Sequence, residues 1–105
     1  PSTRVDNTTV TAPKIFQLNQ NYPNPFNPCT QISYDVPIQS HIKIEIYNAI
    51  GQRVKTLVNS KQNPGYYEIL WDGTNDTGQK MGTGIYLCKM QGKEFSNSIK
   101  LSLVK

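Results

Sequence analysis

Hydrophobic and polar residues alternate along several short segments of the chain. Segments 29–36 (CTQISYDV) and 41–48 (HIKIEIYN) place a hydrophobic side chain at every second position. A period of two is typical of a strand with one buried face, because successive side chains of a strand point to opposite sides. Five more segments have strand character, at 15–20, 52–58, 65–71, 84–90 and 94–104. In segment 52–58, Val54 and Val58 share one side while Leu57 is out of phase, which indicates a β-bulge.

Turn-forming residues separate these segments at short intervals. They are Val36-Pro37, Asn48 to Gly51, Asn63-Pro64-Gly65, Asp72-Gly73, Thr77-Gly78, Gly82 to Gly84 and Gln91-Gly92. No helical period is sustained along the sequence. Half-buried strands need a second sheet to cover their hydrophobic faces. The sequence therefore predicts an all-β fold, an immunoglobulin-like antiparallel β-sandwich of about seven strands.

The segment Leu18–Pro28 (LNQNYPNPFNP), here called the opening loop, interrupts this pattern with three prolines and four asparagines. Proline fixes its own φ, removes an N–H donor and pushes the residue before it toward extended geometry. The loop also contains Tyr22 and Phe26, and a plain linker rarely carries aromatic residues. We expect both rings to plug one open end of the sandwich.

The first residues, Pro1–Lys14, are rich in Ser, Thr and Pro and lack a sustained period. This composition predicts a flexible linker, followed by a single Ig-like domain over residues 15–105. The sequence lacks an initial Met and a signal-peptide pattern, so we expect it to be a piece of a longer protein. Its mean hydropathy is −0.53. With no apolar run near the length of a bilayer span, no membrane-spanning segment is predicted.

The net charge is +4, and the basic residues are spread along the sequence without forming a cluster. Nucleic-acid-binding domains normally carry a stripe or a cluster of positive charge. The scattered pattern predicts a solvated surface and no nucleic-acid partner.

Residues with catalytic chemistry are few and isolated. His41 is the single histidine, and no Ser/His/Asp set is suggested around it. The seven carboxylates show no spacing that argues for glycoside hydrolysis. The GTGIY segment leads into a strand and not a helix, so it does not indicate a phosphate-binding loop. The sequence predicts no catalytic residue and no cofactor.

The loop WDGTNDTGQ offers oxygen ligands of the kind that calcium prefers, from Asp72, Asn75 and Asp76. The spacing does not match an EF-hand, and no Glu stands at its twelfth position. The same residue types also supply turn geometry, with side-chain oxygens capping backbone N–H groups. Turn chemistry is the favoured interpretation and calcium binding is the alternative.

Cys29 and Cys88 are far apart in sequence and form no CxxC motif. In a secreted chain such a pair permits one disulfide. Closing that loop would contribute about 4 kcal/mol by loop-entropy arithmetic. Because Cys29 shares parity with the polar positions of its strand, two separate thiols are favoured and the disulfide is the alternative.

Four blocks follow one another along the chain: PNPFNP at 23–28, IYNAIGQRV at 46–54, GYYEILWDG at 65–73 and GIY at 84–86. Together with the final SIKLSLVK, they resemble the type A C-terminal sorting domain of the type IX (Por) secretion system of Bacteroidetes and related bacteria. The WDG-to-GIY stretch also resembles the Ig-like module of the flagellar hook-capping protein. The framework positions of the resemblance are Pro23, Asn24, Pro25, Phe26, Gly51, Gly65, Tyr67, Trp71, Asp72 and Gly73.

The resemblance covers nearly all of residues 15–105, with two departures. Cys29 stands where the family usually has Ser or Thr, and Cys88 stands where an aromatic residue is common. Neither disturbs the framework, and both together would support a bridge particular to this protein.

The resemblance implies a non-catalytic signal that directs an attached cargo protein across the outer membrane through the type IX system. Its partners would be the upstream cargo domain, the translocon and sortase-like outer-membrane components. Cleavage would fall in the linker Pro1–Lys14. The domain would pass through the periplasm and then be extracellular or at the cell surface. The parent protein would be of a class such as a peptidase or a glycoside hydrolase.

The last strands are the expected recognition surface, because a terminal edge strand exposes N–H and C=O groups that a partner strand can extend. The recognition residues on these strands are Gly84, Ile85, Tyr86, Ser98, Lys100 and Lys105. For Ile85 and Tyr86, core packing is the alternative interpretation.

The alternative function is an accessory Ig-like binding or spacer module of a secreted multidomain enzyme, either carbohydrate-binding or calcium-stabilised. Glycan-binding sandwiches usually present aromatic side chains in an exposed row. Tyr67 and Trp71 share a face that the alternation assigns to the core. Tyr47, Tyr66 and Tyr86 are therefore the exposed candidates.

Overall fold

The computed structural model describes residues 12–105, so the predicted linker Pro1–Lys14 lies almost entirely outside the described residues. Seven strands occur within the described range. They are β1 (Gln17–Leu18), β2 (Thr30–Val36), β3 (Ser40–Asn48), β4 (Arg53–Gln62), β5 (Gly65–Trp71), β6 (Gly84–Gln91) and β7 (Ser96–Leu103).

The strands form two sheets that pack face to face. One sheet has the order β1-β2-β5 and the other has the order β4-β3-β6-β7, with every neighbouring pair antiparallel. The predicted immunoglobulin-like antiparallel sandwich of seven strands is confirmed. No described residue belongs to a helix that is long and apolar enough to cross a membrane.

The core consists of the residues at the hydrophobic positions of the alternation. Its largest fully buried side chains are Trp71, Tyr34, Phe26, Ile32, Ile42, Ile44, Ile46, Met90 and Leu101. Directly opposite residues of neighbouring strands lie on the same side of a sheet. Ile44 of β3 is opposite Val58 of β4 and Met90 of β6, so all three turn toward the other sheet. The predicted inward positions of β2 and β3 are confirmed.

The predicted bulge in β4 is also confirmed. Ile44 pairs with Val58, but the next residue, Glu45, pairs with Thr56, so Leu57 has no direct partner on β3. A bulge inserts one extra residue in one strand and shifts the side-chain alternation by one position. A second shift follows, because Ile46 pairs with Lys55 and Tyr47 pairs with Arg53, so Val54 has no direct partner either. The two shifts cancel, and Val54 and Val58 both face the core.

The opening loop buries one of its two aromatic rings. The Phe26 side chain is 2% exposed, and its ring centroid lies 5.5 Å from that of Trp71. Trp71 in turn meets the Tyr86 ring edge-on at 5.2 Å. Offset and edge-to-face ring pairs of this kind add to the stabilisation from buried area. Phe26 therefore closes one end of the sandwich.

Tyr22 does not take part in this closure, and the prediction that both rings plug the sandwich is wrong for Tyr22. Its side chain is 80% exposed. The backbone of Tyr22 exchanges two hydrogen bonds with that of Gln31, whose side chain faces solvent, and opposite residues share a face. Asn21 takes the inward position instead, where its amide donates to Thr30 Oγ1 at 2.8 Å.

The two rings of the opening loop give a matched pair of substitutions for the fold. Phe26→Ala should lower the free energy of unfolding by about 3–5 kcal/mol, because it empties a filled site beside Trp71. Tyr22→Ala should change it by no more than about 0.5 kcal/mol, since the ring lies in solvent. Urea unfolding followed by Trp71 fluorescence measures both. Equal losses for the two variants would contradict the assignment of Phe26 as the closing residue.

Candidate recognition site

The opening loop pairs with the free edge of β7, the last strand. The Phe26 backbone N–H donates to the Ser102 carbonyl at 2.9 Å, and the Val104 N–H donates to the Phe26 carbonyl at 3.0 Å. These two bonds form a parallel bridge on the side of β7 that faces away from β6. The loop thus acts as a short additional strand at the C-terminal end of β7.

Side chains of the same loop extend this cover along the edge. Asn24 Oδ1 accepts a hydrogen bond from the Ser102 N–H at 3.0 Å, and the Gln20 amide donates to the Lys100 carbonyl at 2.8 Å. Sheet edges attract other strands because their backbone groups lack partners. The opening loop supplies hydrogen-bond partners for the backbone groups of this edge from the Lys100 carbonyl to the Val104 N–H.

The remaining part of the β7 edge has no backbone hydrogen-bond partner among the described residues, although β1 lies close beside it. Backbone groups of a strand point to alternate sides, so those of Ser96, Ser98 and Lys100 face the same way as those of Ser102. The Ser98 N–H is satisfied only by the neighbouring Asn97 side chain, at 2.8 Å. A partner strand therefore finds an open edge over residues 96–100 and not over the whole of β7.

The six predicted recognition residues divide into surface and interior positions. Ser98, Lys100 and Lys105 are exposed, Ile85 is 44% exposed and Gly84 is half-buried. Tyr86 is only 7% exposed. Its ring packs on Trp71, its hydroxyl donates to the Gly82 carbonyl at 2.7 Å, and burial raises the pKa of that hydroxyl. The Tyr86 ring therefore belongs to the core and is not accessible to a partner.

Asp72, the first of the three candidate calcium ligands, is engaged in a turn. Its Oδ1 accepts hydrogen bonds from the Thr74 hydroxyl at 2.5 Å and the Thr74 N–H at 3.1 Å. Lys55 Nζ lies 3.6 Å from the same oxygen. The hydroxyl bond is the main cause that lowers the pKa of the Asp72 carboxyl.

Asn75 and Asp76 stabilise other backbone segments. Asn75 Oδ1 accepts from the N–H groups of Thr77 and Gln79, at 3.1 and 2.9 Å. Asp76 Oδ1 accepts from the Thr56 N–H of β4 at 3.1 Å. The arrangement is that of turn caps. Within residues 12–105, no group of three or more His, Cys, Asp and Glu is placed to hold a metal ion.

The two cysteines are free thiols in the structure, so the disulfide alternative does not occur in it. Cys88 is fully buried on β6, opposite Ile46 and Ile99, and burial raises the pKa of its thiol to about 12. Cys29 is partly exposed in a cleft beside the turn at Asp72.

Glu45 is a buried charged residue that the alternation places on the polar side of β3. It is 3% exposed on the outer face of the four-stranded sheet. Tyr47 and Thr56 donate hydroxyl hydrogen bonds to it at 2.7 and 3.2 Å, and the Arg53 guanidinium lies 3.6 Å away. Burial by itself would raise the pKa of the Glu45 carboxyl, but these groups and Lys43 together lower it. Lys43 and Tyr47 lie two residues before and two residues after Glu45, on the same side of β3. This spacing is the sequence signal that could have indicated the cluster.

The tyrosines proposed as glycan platforms do not form a row. Tyr86 is buried, Tyr47 lies on β3 beside Glu45, and Tyr66 is 65% exposed on the other sheet. Tyr47, which is partly buried, and Tyr66 lie on opposite faces of the sandwich, so the candidates do not form the flat aromatic surface that a sugar ring would need.

Comparison with known proteins relates the chain to a domain family and to several solved structures. The profile of the FlgD Ig-like domain matches residues 30–95. No curated protein matches the chain at a significant level. FlgD of P. aeruginosa is 23% identical over 70% of this chain, with a TM-score of 0.56.

Two further structures come from Porphyromonas gingivalis. PorZ, described as an essential surface component of its type-IX secretion system, is 16% identical over 86% of the chain, with a TM-score of 0.58. Dimeric latent PorU is 21% identical over 97% of the chain, with a TM-score of 0.65. The chain spans 58% of FlgD, 11% of PorZ and 10% of PorU, and at these identities the likeness concerns the fold.

Chemical labelling tests the difference in burial between the two thiols. Since the thiolate is the reactive form, Cys29 should react with a disulfide reagent such as DTNB at pH 8. Cys88 should stay unreactive at that pH until the fold is opened with urea, because it is buried and holds its proton. Cys29→Ser should therefore abolish fast labelling, whereas Cys88→Ser should leave it unchanged. Fast reaction of both thiols in the native chain would contradict the buried position of Cys88.

The Glu45 cluster predicts a pH-dependent effect on stability. A carboxyl with a lowered pKa in the folded state stabilises the fold above its unfolded pKa, and that contribution is lost as pH falls through the folded pKa. Glu45→Gln should cost about 1–3 kcal/mol at pH 7. The difference from the wild type should shrink as the pH falls below 4.5, the ordinary value for this carboxyl.

Urea unfolding at pH 7 and at acid pH measures this effect, with Glu68→Gln as the control because Glu68 is exposed on β5. The control should behave as the wild type at pH 7. A Glu45→Gln cost that stays constant down to acid pH would show that the hydrogen bonds act independently of the charge.

Proposed function

The chain belongs to the FlgD Ig-like domain family, and we propose that it is a non-catalytic C-terminal sorting domain of type IX secretion. In this role it directs an attached cargo protein across the outer membrane. The observation that carries the proposal is the meeting of the four sequence blocks at one end of the sandwich, although as many as 62 positions separate the first block from the last.

The aromatic side chains of three blocks form one cluster. Phe26 of the PNPFNP block contacts Trp71 of the WDG block, which contacts Tyr86 of the GIY block. Gly73 of the WDG block has a φ of 79°, and a Cβ there would lie 3.0 Å from the Pro28 carbonyl oxygen. Glycine is required where backbone approaches this closely in a left-handed conformation.

The fourth block forms the turn from β3 to β4 and lies next to the start of β6. Asn48 pairs with Tyr86, and Ile50 lines the same cleft as Gly84 and Ile85. Gly65 and Tyr67 of the third block lie toward the other end of β5, opposite Val36 and Tyr34, so the convergence concerns the WDG end of that block. The convergence beside the last strand supports a shared surface for recognition.

The recognition surface in this proposal is the open β7 edge over residues 96–100, with the exposed side chains of Ile85, Lys100 and Lys105 around it. A partner strand would extend the four-stranded sheet by backbone hydrogen bonds. The opening loop fixes where that added strand must stop, because the edge beyond Lys100 is already paired.

The other parts of the proposal concern the parent protein. The linker Pro1–Lys14 would join the domain to its cargo and provide the site of cleavage, and the translocon and sortase-like components would be the partners. The domain would cross the periplasm and then be extracellular or at the cell surface. An accessory glycan-binding role has less support, since the candidate residues Tyr47, Tyr66 and Tyr86 do not form an aromatic row.

A secretion assay tests the sorting role. Residues Pro1–Lys105 would be fused behind a signal peptide and a fluorescent reporter in a host with a working type IX system. We expect the reporter outside the cells, and we expect Ser98→Pro to hold it in the periplasm. Proline at Ser98 removes an N–H from the open edge, while the β6–β7 ladder keeps its own hydrogen bonds.

Ser98→Ala is the matched control, because it removes the hydroxyl and keeps the backbone N–H. Both variants should unfold at the wild-type urea concentration, which separates a recognition defect from a folding defect. A wild-type reporter that stays in the periplasm of a secreting host would contradict the sorting role. Export of a folded Ser98→Pro fusion would contradict the edge as the recognition surface.

A further inference from the structure

Charged residues are distributed unequally between the two sheets. All six basic residues within the described strands lie on the four-stranded sheet: Lys43, Arg53, Lys55, Lys61, Lys89 and Lys100. The strands of the three-stranded sheet carry only the acidic residues Asp35 and Glu68. The sequence predicted scattered, solvated charge. The basic residues of the strands do lie at the surface, but the sheet gathers them on one side, because neighbouring strands bring together residues that are distant in sequence.

Five of these six basic residues face outward on the four-stranded sheet. Lys43 lies between the buried residues Ile42 and Ile44, and the register places Lys61 opposite His41 and Lys89 opposite Glu45. By the same register, Arg53 is opposite Tyr47, and Lys100 is opposite Leu87. Lys55 differs, since its Nζ reaches the turn at Asp72 and Thr74. We call the outward surface with the five residues the basic face.

Two carboxylates already engage basic residues of this face, Glu45 of β3 and Asp76 of the turn after β5, whose Oδ2 lies 3.9 Å from Arg53 Nε. Glu45 has Lys43 at 3.8 Å and Arg53 at 3.6 Å, and it is buried beneath them. The positive charge of the face is therefore only partly balanced by the strands that form it. Such a surface attracts acidic partners over distances of about a Debye length, and salt weakens the attraction.

The basic face also carries exposed apolar side chains. Leu87 is 39% exposed, Ile85 is 44% exposed, and Ile50 on the adjoining turn is 79% exposed. On the sheet, Leu87 stands in a row between Tyr47 and Lys100. Apolar side chains in the middle of a patch with charged groups around them are the usual arrangement of a protein–protein interface.

We propose that the basic face is a docking surface for an acidic protein surface, with Ile85 and Leu87 as its apolar centre and Arg53, Lys89 and Lys100 as its charged border. This inference rests on the proposed sorting function, for which it supplies the chemistry of the translocon component that meets the domain. It also places the contact on the side chains of the sheet, next to the open β7 edge.

The size of the surface indicates a transient contact. The basic face is four strands wide, at about 4.8 Å per strand. Together with its apolar residues it covers only a few hundred Å². This is below the roughly 800 Å² per partner of a stable interface. A sorting signal has to be released as the cargo moves on, so a weak and salt-sensitive contact suits the function.

The apolar centre favours a protein over the other anionic partners. A polysaccharide or a nucleic acid would use the charges of the face but gain little from Ile85 and Leu87. A membrane surface would need apolar groups that protrude together beyond the charges, whereas Leu87 lies within a central strand of a flat sheet.

Two matched double variants test the charged border in the secretion assay. Lys89→Glu/Lys100→Glu changes the basic face, and Lys80→Glu/Lys93→Glu makes the same change in net charge at exposed turn positions outside the strands. We expect the first fusion to stay in the periplasm and the second to be exported. Leu87→Thr, which removes the apolar side chain and introduces a β-branched residue that strands tolerate well, should also reduce export.

A binding measurement separates this inference from the sorting function. The probe is a labelled peptide that alternates glutamate with leucine, followed by fluorescence anisotropy at low salt. The change at Lys89 and Lys100 should weaken its binding about tenfold. Leu87→Thr should weaken it as well, the Lys80/Lys93 variant should bind as the wild type, and salt should abolish the difference.

The outcomes distinguish the two proposals. Export of every variant with unchanged peptide binding overturns the basic face but leaves the sorting role intact. Failure of the wild type to be exported contradicts the sorting role, and the peptide measurement then decides whether the face is an acidic-protein site. Three results overturn the proposal: no binding of the peptide, binding of dextran sulfate or phosphatidylglycerol vesicles that Leu87→Thr does not affect, or self-association alone.

Discussion

The pairing of Phe26 with the last strand is the interaction on which the other features of the surface depend. Its backbone completes the edge of β7 at Ser102 and Val104, while its ring fills the end of the core against Trp71. Phe26 thus stabilises a small sandwich in two ways. Its ring keeps the end of the core buried, and its backbone pairs with an edge that would otherwise be available to other chains. The prolines around Phe26 cannot act as donors, so the loop offers few backbone N–H groups of its own for further pairing.

This closure leaves a limited set of exposed features on the C-terminal half of the domain. The β7 edge is open only over residues 96–100, and the basic face begins beside it at Lys100 and Leu87. A partner that adds a strand at the edge would meet the side chains of the face at the same time. Backbone pairing would give such a contact its register, and the charges would give it selectivity.

The sequence predicted the architecture well because alternation and turn residues are local signals. Ile32, Ile44 and Val58 are buried as their period requires, and even the phase slip at Leu57 corresponds to a bulge. Tyr22 was misplaced because a proline-rich loop has no period, and its direction depends on its pairing with Gln31. Glu45 was missed because alternation assigns a side to a residue but says nothing of the neighbours that bury it. The basic face was hidden for a related reason, since β4, β3, β6 and β7 become neighbours only in the folded sheet.

Amide hydrogen exchange in the free chain tests the central claim, the closure of the last strand by the opening loop, most directly. The amides of Phe26, Ser102 and Val104 should be protected as strongly as that of Ile44 in the core, because they open only when the loop leaves the sandwich. The Lys100 amide, which faces the open part of the same edge, should exchange much faster. Fast exchange at Phe26 and Val104, at the rate of Lys100, would show that the loop does not hold the edge and would contradict the account.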